Sequence, residues 1–362
     1  MGKINKKISI ICLCFFIIFL HGGFRKKNLH DFENIPEWMQ KQINLDFAPF
    51  EAIDPASIDA AAQENPFGAL LLCEIKGRSI SIQAVEPRYR DFFQIDHLTS
   101  IFKKFLRRYK LPNMKFLLSM HDGIVTDNPT SVPVLAYAKN VAVKNVVLIP
   151  DFQALEGNHY FHEQVNLGLS KWPYEQKIPL AYWSGATSGG YYSLDCFLSL
   201  PRTQLVSFSL KFPDLLYARF VPTFLNAYPE GEKIHVRYPE YFAEFVDISE
   251  SMKYKYQILA DGNSCAWSRA YWQLHANCLM IKQDSPHIQW FYSALAPYVH
   301  YVPTSADFSD LADKIAWARD NDVSVEKITL NAQRFAQENL IHEKVFVYLY
   351  HVLKRYAELI QN

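Results

Sequence analysis

From residue 87 onward the chain alternates short apolar runs with stretches of helical periodicity, and this alternation restricts the fold more than any other feature. Residues 88–109 carry Phe92, Phe93, Ile95, Leu98, Ile101, Phe102, Phe105 and Leu106 at helical spacing. The apolar runs 115–120, 145–149, 178–183, 205–210, 256–259, 278–281 and 299–302 read as strands. Residues 241–251, 266–277 and 288–295 read as helices between them, and 310–319, 325–337 and 343–360 as three closing helices. Strands alternating with helices predict βαβ units and parallel sheets. Two such blocks in 362 residues predict an α/β fold of two Rossmann-like domains facing a cleft. In such sheets ligands bind beyond the carboxyl ends of the strands, so the residues just after each strand are the candidates for a site.

The composition, 49% hydrophobic and 20% charged, is that of a globular body with a substantial core. Lys+Arg and Asp+Glu both number 37, but the balance is uneven along the chain. Lys3, Lys6, Lys7, Arg25, Lys26 and Lys27 fall within residues 1–27, which hold no acid. Without those six, 31 basic residues face 37 acidic ones, a net charge of −6. A slightly acidic body argues against general nucleic-acid binding, which needs a basic surface for phosphates.

Between the two basic clusters, residues 8–20 are apolar except for Ser9. Thirteen residues fall short of the ~17–25 that span a bilayer as a helix. The segment 1–27 therefore reads as a signal peptide or, extended to Phe24, as an uncleaved signal anchor. A body attached to a membrane, in the secretory pathway or cell envelope, is expected. Residues 28–85 carry Pro36, Pro49, Pro55 and Pro66 and read as an irregular stalk and N-terminal wrap. Cys73, Cys196, Cys265 and Cys278 are widely spaced, and no CxxC pair exists, so they read as mostly buried thiols, with oxidation of one pair left open, rather than as zinc ligands.

Three constellations follow strands. Ser119-Met120-His121-Asp122-Gly123 places a carboxylate where it could act as a general base, or where Asp-Gly simply makes a turn. Trp183-Ser184-Gly185-Ala186-Thr187-Ser188-Gly189-Gly190 is either a loop whose amides approach a phosphate or a flexible glycine-rich connection. It lacks the ending of a Walker loop and the spacing of a dinucleotide fingerprint. In the third, Asp261-Gly262 ends a strand and Arg269 sits in the first turn of the next helix. A cation there opposes the helix dipole and makes sense beside a bound anion, or as a surface residue paired with Asp261. Two motifs are set aside. His159, His162 and Glu163 are in the wrong order for a zinc-protease helix. Asp320-Asn321-Asp322 formally matches a metal-binding D-x-D but lies on a charged helix end, which reads as a solvated face.

Together these segments resemble glycosyltransferase family 90 over roughly residues 116–340. The most specific part runs from Tyr254-Lys255-Tyr256 through Asp261-Gly262 to Ser268-Arg269. It continues in Lys282-Gln283-Asp284-Ser285, Trp290-Phe291-Tyr292 and His300-Tyr301-Val302-Pro303. Trp183-Ser184-Gly185-Ala186-Thr187 is similar to the family's Trp-Arg-Gly-Ser/Thr loop, with Ser184 where the family has arginine. The resemblance implies a GT-B fold, with an acceptor domain at 86–200, a nucleotide-sugar domain at 201–340 and a C-terminal helix at 341–362. It implies inverting, metal-independent transfer of a glucose- or xylose-type sugar from a UDP-sugar to a glycan, lipopolysaccharide or protein hydroxyl. No cofactor and no metal are expected. Asp122 falls on the family's base. Ser184, Gly185, Ala186, Thr187, Lys255, Asp261, Gly262, Ser268 and Arg269 are the implied donor-binding residues. The loss of arginine at Ser184 leaves a second expectation open, a degenerate transferase serving as a tethered carbohydrate-binding module.

Overall fold

The computed structural model describes residues 35–362, apart from 66–67, 90–94, 128–129 and 361–362. The expected signal or anchor segment lies outside the described residues. Two helices open the described chain, α1 (Glu37–Phe47) and α2 (Pro55–Glu64). They lead into β1 (Leu70–Lys76), β2 (Ser79–Ala84), α3 (Ile95–Arg108), β3 (Met114–Ser119), β4 (Val134–Ala136), β5 (Lys139–Asn140) and β6 (Val146–Leu148). Helices α4 (Phe152–Glu156) and α5 (His159–Lys171) connect to β7 (Ile178–Gly185), α6 (Pro201–Lys211), β8 (Leu216–Phe220), α7 (Gly231–Arg237) and α8 (Ile248–Ser251). The rest is β9 (Tyr254–Leu259), α9 (Trp267–His275), β10 (Leu279–Gln283), β11 (His287–Ile288), β12 (Val302–Thr304), α10 (Leu311–Asp320), α11 (Asp322–Asn339) and α12 (His342–Leu359).

Two five-stranded sheets carry the fold. The first has the order β2-β1-β3-β4-β6, the second β12-β10-β9-β7-β8. The second is parallel throughout, as are β3, β4 and β6 of the first. Parallel strands covered by helices on both faces are buried along their length, which explains the unbroken apolar run at Val146–Leu148 and the continuous burial from Lys255 to Leu259 in β9. This is the expected two-sheet, GT-B-like α/β arrangement. The strand ends carrying Asp122 and the Ser184 loop meet, as the site below describes.

Several expectations are corrected. Residues 70–84 are not a wrap but a hairpin, with β1 antiparallel to both β2 and β3. Its signal was present in the sequence: Ile80 and Ile82 alternate with exposed residues, and Gly77 takes φ 62 in the turn. The run 205–210 lies inside helix α6, begun by Pro201 at its first position, and buries Leu205, Val206 and Ser209 on one face. Residues 241–251 hold only the short α8, because Phe242 is extended and bridges to Phe220. In 288–295 there is a single tight turn, Tyr292–Ala294, beside buried Trp290 and Phe291. Finally, β7 belongs to the second sheet, so that half begins near residue 178 rather than 201.

Helix α12 leaves the second half and packs on the first. Phe346 meets Phe105 edge-on at 5.4 Å, Tyr350 stacks on Tyr109 at 5.2 Å, and Tyr356 touches Phe47 and Phe116, both at 6.3 Å. Under the first sheet, Lys139 and Asp46 form a buried ion pair at 2.7 Å. Lys139 also donates to the Val146 carbonyl, and Asp46 accepts from the Leu148 amide.

Candidate active site

The site forms where the carboxyl end of β3 meets those of β7 and β9. Asp122 stands exposed on the turn after β3. Its Oδ2 accepts a hydrogen bond from Asn263 Nδ2 at 2.9 Å. Its carbonyl accepts from Ser264 Oγ at 2.5 Å and from Trp267 Nε1 at 2.7 Å. A Cβ on Gly123 would lie 2.6 Å from Ser264 Oγ, so glycine is what lets this turn approach so closely. The Asp-Gly pair thus does more than turn the chain. It aims a carboxylate from the first half at the 263–267 segment of the second.

Asn263 orients that carboxylate. Its Oδ1 accepts from the Gly189 amide at 3.1 Å and from Asn226 Nδ2 at 2.6 Å. Both partners are donors, which fixes the side-chain amide with its NH₂ toward Asp122. Among the described residues, no lysine or arginine hydrogen-bonds to the Asp122 side chain.

Beside this, a cavity of about 410 Å³ opens along the end of β7 and the start of α9. Ser184, Gly185, Ala186, Ser268, Arg202 and Arg269 line its polar side, and Phe161, Phe245 and Trp272 part of its apolar side. Gly185 is required, because a Cβ there would meet the Trp183 ring at 2.7 Å. Arg269 Nη2 donates to the Ser184 carbonyl at 2.6 Å. Arg202 donates to the carbonyls of Asp261 and Ala186 at 2.8 and 2.9 Å and to Ser188 Oγ at 2.5 Å, with its guanidinium 5.4 Å from the Trp183 ring centre. It therefore ties together the loops that follow β7 and β9.

Neither guanidinium has a carboxylate partner among the described residues' ion pairs. Burial, and then the neighbouring charge of Arg202, push Arg269 down to about 10. Burial likewise lowers Arg202. Both remain charged at neutral pH. Two cations facing one cavity, met only by carbonyls and a hydroxyl, form a site for an anion.

The other expected residues divide. Thr187 is buried and turned away, with its hydroxyl donating to the Thr223 carbonyl at 3.3 Å. Asp261 accepts from Ser285 Oγ at 2.5 Å and lies 3.5 Å from His287. Gly262 packs beneath Ser188 and Arg202 and belongs to a separate open groove. Lys255 is a correction. It is the second residue of β9, about 13 Å from that strand's carboxyl end at 3.3 Å per residue. There it pairs with Asp322 at 2.9 Å and covers the Tyr174 ring at 4.3 Å. Asp322 is thus a structural partner rather than only part of a solvated face. His162 bonds to the Tyr271 hydroxyl, and no cluster of three metal-ligating side chains occurs among the described residues.

Sequence reasoning missed Arg202, Asn263, Ser264 and Trp267. The signal that marked Arg269, a cation in the first turn of a helix, also marks Arg202, which follows Pro201 at the start of α6. Asn263 was visible only as a member of a turn.

Two sheets with Rossmann-like parallel strands, their carboxyl ends turned toward a basic cavity and a nearby carboxylate, form the GT-B-like arrangement. Comparison with known proteins gives the family. The model of glycosyl transferase family 90 matches residues 34–362, and the chain belongs to that family. Protein O-glucosyltransferase 3 of Homo sapiens is 30% identical over 341 residues, covering 88% of this chain and 61% of the relative. Protein O-glucosyltransferase 2 of Danio rerio is 28% identical over 360 residues, covering 93% and 65%. The chain thus spans a little under two thirds of these relatives. Among solved structures, a glycosyltransferase from Rickettsia africae superposes with a TM-score of 0.42 at 12% identity, covering 70% of this chain and 74% of that one. Among the described residues no helix is long and apolar enough to cross a membrane.

Proposed function

We propose that the chain is an inverting, metal-independent glycosyltransferase. It moves a glucose- or xylose-type sugar from a UDP-sugar to a hydroxyl of a glycan, lipopolysaccharide or protein. The observation that carries this reading is the pair Arg202 and Arg269, two cations at one cavity with no ion pair to a carboxylate among the described residues, with Asp122 near the same strand ends. The acceptor hydroxyl attacks the anomeric carbon from the face opposite the diphosphate. As the new C–O bond forms, its proton passes to the Asp122 carboxylate and the bond to the diphosphate breaks. The charge left on the diphosphate is met by the two guanidiniums and by the amides at the start of α9. Ser184 leaves the loop one arginine short of the family pattern, and Arg202 supplies a cation to the same loop from α6. Attachment to a membrane through residues 8–24 remains part of the reading, carried by the sequence alone.

The test is a panel of UDP-sugars, read first by thermal shift and then by UDP release, with and without EDTA. One donor should raise the melting temperature by mass action and give UDP release that survives the chelator. Release abolished by EDTA and restored by manganese would overturn metal independence. A shift without release, with every acceptor class supplied, would leave the carbohydrate-binding module in its place.

A further inference from the structure

The loop after β7 and the turn after β9 touch where Gly189 packs against the Gly262 carbonyl. This contact lines a second space, which has no lining residue in common with the basic cavity. The second space is an open groove of about 570 Å³, within the usual size of a ligand site. Tyr191, Leu225 and Tyr228 line it and stand 60%, 62% and 86% exposed. The Tyr191 hydroxyl donates to the Tyr228 carbonyl at 3.0 Å, which fixes that ring against the neighbouring segment. Asn226, Asn263 and His287 supply the polar part of the lining. Asn226 Nδ2 donates to Asn263 Oδ1 at 2.6 Å, and Asn263 Nδ2 to Asp122 Oδ2 at 2.9 Å, so one wall of the groove is hydrogen-bonded directly to the carboxylate.

Among the described residues no lysine or arginine lines the groove, the Arg202 guanidinium behind Gly262 is taken up by carbonyls and Ser188, and the carboxyl groups of Asp122 and Asp261 lie beside it, so it offers a phosphate little. Exposed aromatic faces next to fixed amides and an imidazole suit a pyranose. The C–H face of such a ring is apolar and packs on a tyrosine, while its rim of hydroxyls both donates and accepts. We propose that this groove is the acceptor subsite and that its occupant is a sugar ring of a glycan acceptor. The ring is seated on Tyr228 and Tyr191, with one hydroxyl presented past Asn263 to Asp122. The proposal rests on the transferase reading for the word acceptor, and on the groove alone for the sugar.

The experiment is saturation-transfer NMR of the full chain with methyl glycosides of glucose, galactose, mannose and xylose and with maltose, cellobiose and lactose. It is repeated on Tyr228→Ala and Tyr191→Ala, with the UDP thermal shift measured in parallel on each protein. At least one sugar should receive saturation from the wild type. Its dissociation constant should rise about fivefold or more in each variant, and the UDP shift should stay unchanged. Tyr228 is so exposed that its truncation leaves the fold intact, which keeps the test valid if Tyr191→Ala is unstable. The proposal falls if no sugar is saturated or if binding is unchanged in Tyr228→Ala. It also falls if a UDP-sugar displaces the bound glycoside, since the groove would then seat the donor's sugar. Competition by a sugar-free polypeptide would overturn it in favour of a peptide acceptor. Tyrosine-dependent sugar binding with no UDP shift would keep the groove and overturn the transferase reading instead.

Discussion

Buried charge is handled in opposite ways in two parts of this molecule. Under the first sheet, Lys139 and Asp46 sit together at 2.7 Å, each also bonded to the backbone, so the fold neutralises its own ions. At the strand ends, Arg202 and Arg269 hydrogen-bond, among the described residues, only to carbonyls and a hydroxyl, while the exposed Asp122 side chain accepts from the Asn263 amide. Removing a charge from water is costly without a partner of opposite sign. A region that keeps its cations and its acid apart is therefore arranged for ions that arrive from outside. The first region uses its electrostatics for stability, and under the proposed function the second uses them for a ligand and a proton.

The sharpest way to break this contrast is Asp122→Asn. The amide keeps the shape and the contact with Asn263 but is a far weaker base. Turnover should fall about 10²–10⁴-fold, with the melting temperature and UDP binding close to wild type. A near wild-type rate would remove Asp122 from the chemistry. Asp46→Ala should show the reverse pattern. It strands Lys139 inside the protein, and chemical denaturation should report a loss of about 3–5 kcal/mol. The donor KM of the remaining folded protein should be unchanged. Next in size is Arg269→Ala, which removes one charge-assisted contact worth about 1.5–3 kcal/mol. Donor affinity should weaken roughly 10–150-fold, and Arg269→Lys should recover only part, since it keeps the charge and loses the planar fork. Donor kinetics unaltered by Arg269→Ala would mean that the two regions do not differ as described.

The smallest effect concerns His275, on the same helix as Arg269. Burial, reinforced by His162, lowers it to about 4 despite the bond to the Tyr271 carbonyl. An unfolded histidine titrates near 6.5. Between those values the unfolded chain binds the proton and the folded one does not, so stability falls as pH drops below 6.5. From pH 7 to 5 the loss should be about 1–2 kcal/mol. In His275→Gln the slope of melting temperature against pH over this window should flatten. An unchanged slope would mean that His275 is not the group responsible.

The parts of this site that could be read in the sequence are those that obey a local rule. Asp122, the Ser184–Ala186 turn and Arg269 follow apolar runs, and parallel sheets place such residues together. Tertiary facts were hidden. The segment 205–210 has the same apolar content as a strand, and only its approach through Pro201 and the packing of α6 on β8 decide for helix. Lys255 shares a motif with Arg269 but stands at the other end of its strand, and a motif written in one dimension does not reveal which end faces the ligand. Arg202 and Asn263 act through partners about 14 to 141 residues away in sequence, and no spacing rule reaches that far.

Helix α12 has a consequence for how the chain is made. Phe47, Phe105 and Phe116 wait for partners that are encoded more than 200 residues later, in Phe346 and Tyr356. On the ribosome, the first sheet emerges with part of its aromatic surface bare and stays so until α12 has been made. The second sheet needs no such return and can close earlier. The half that carries Asp122 should therefore mature last, and the chain should depend on chaperones over its first half during that interval.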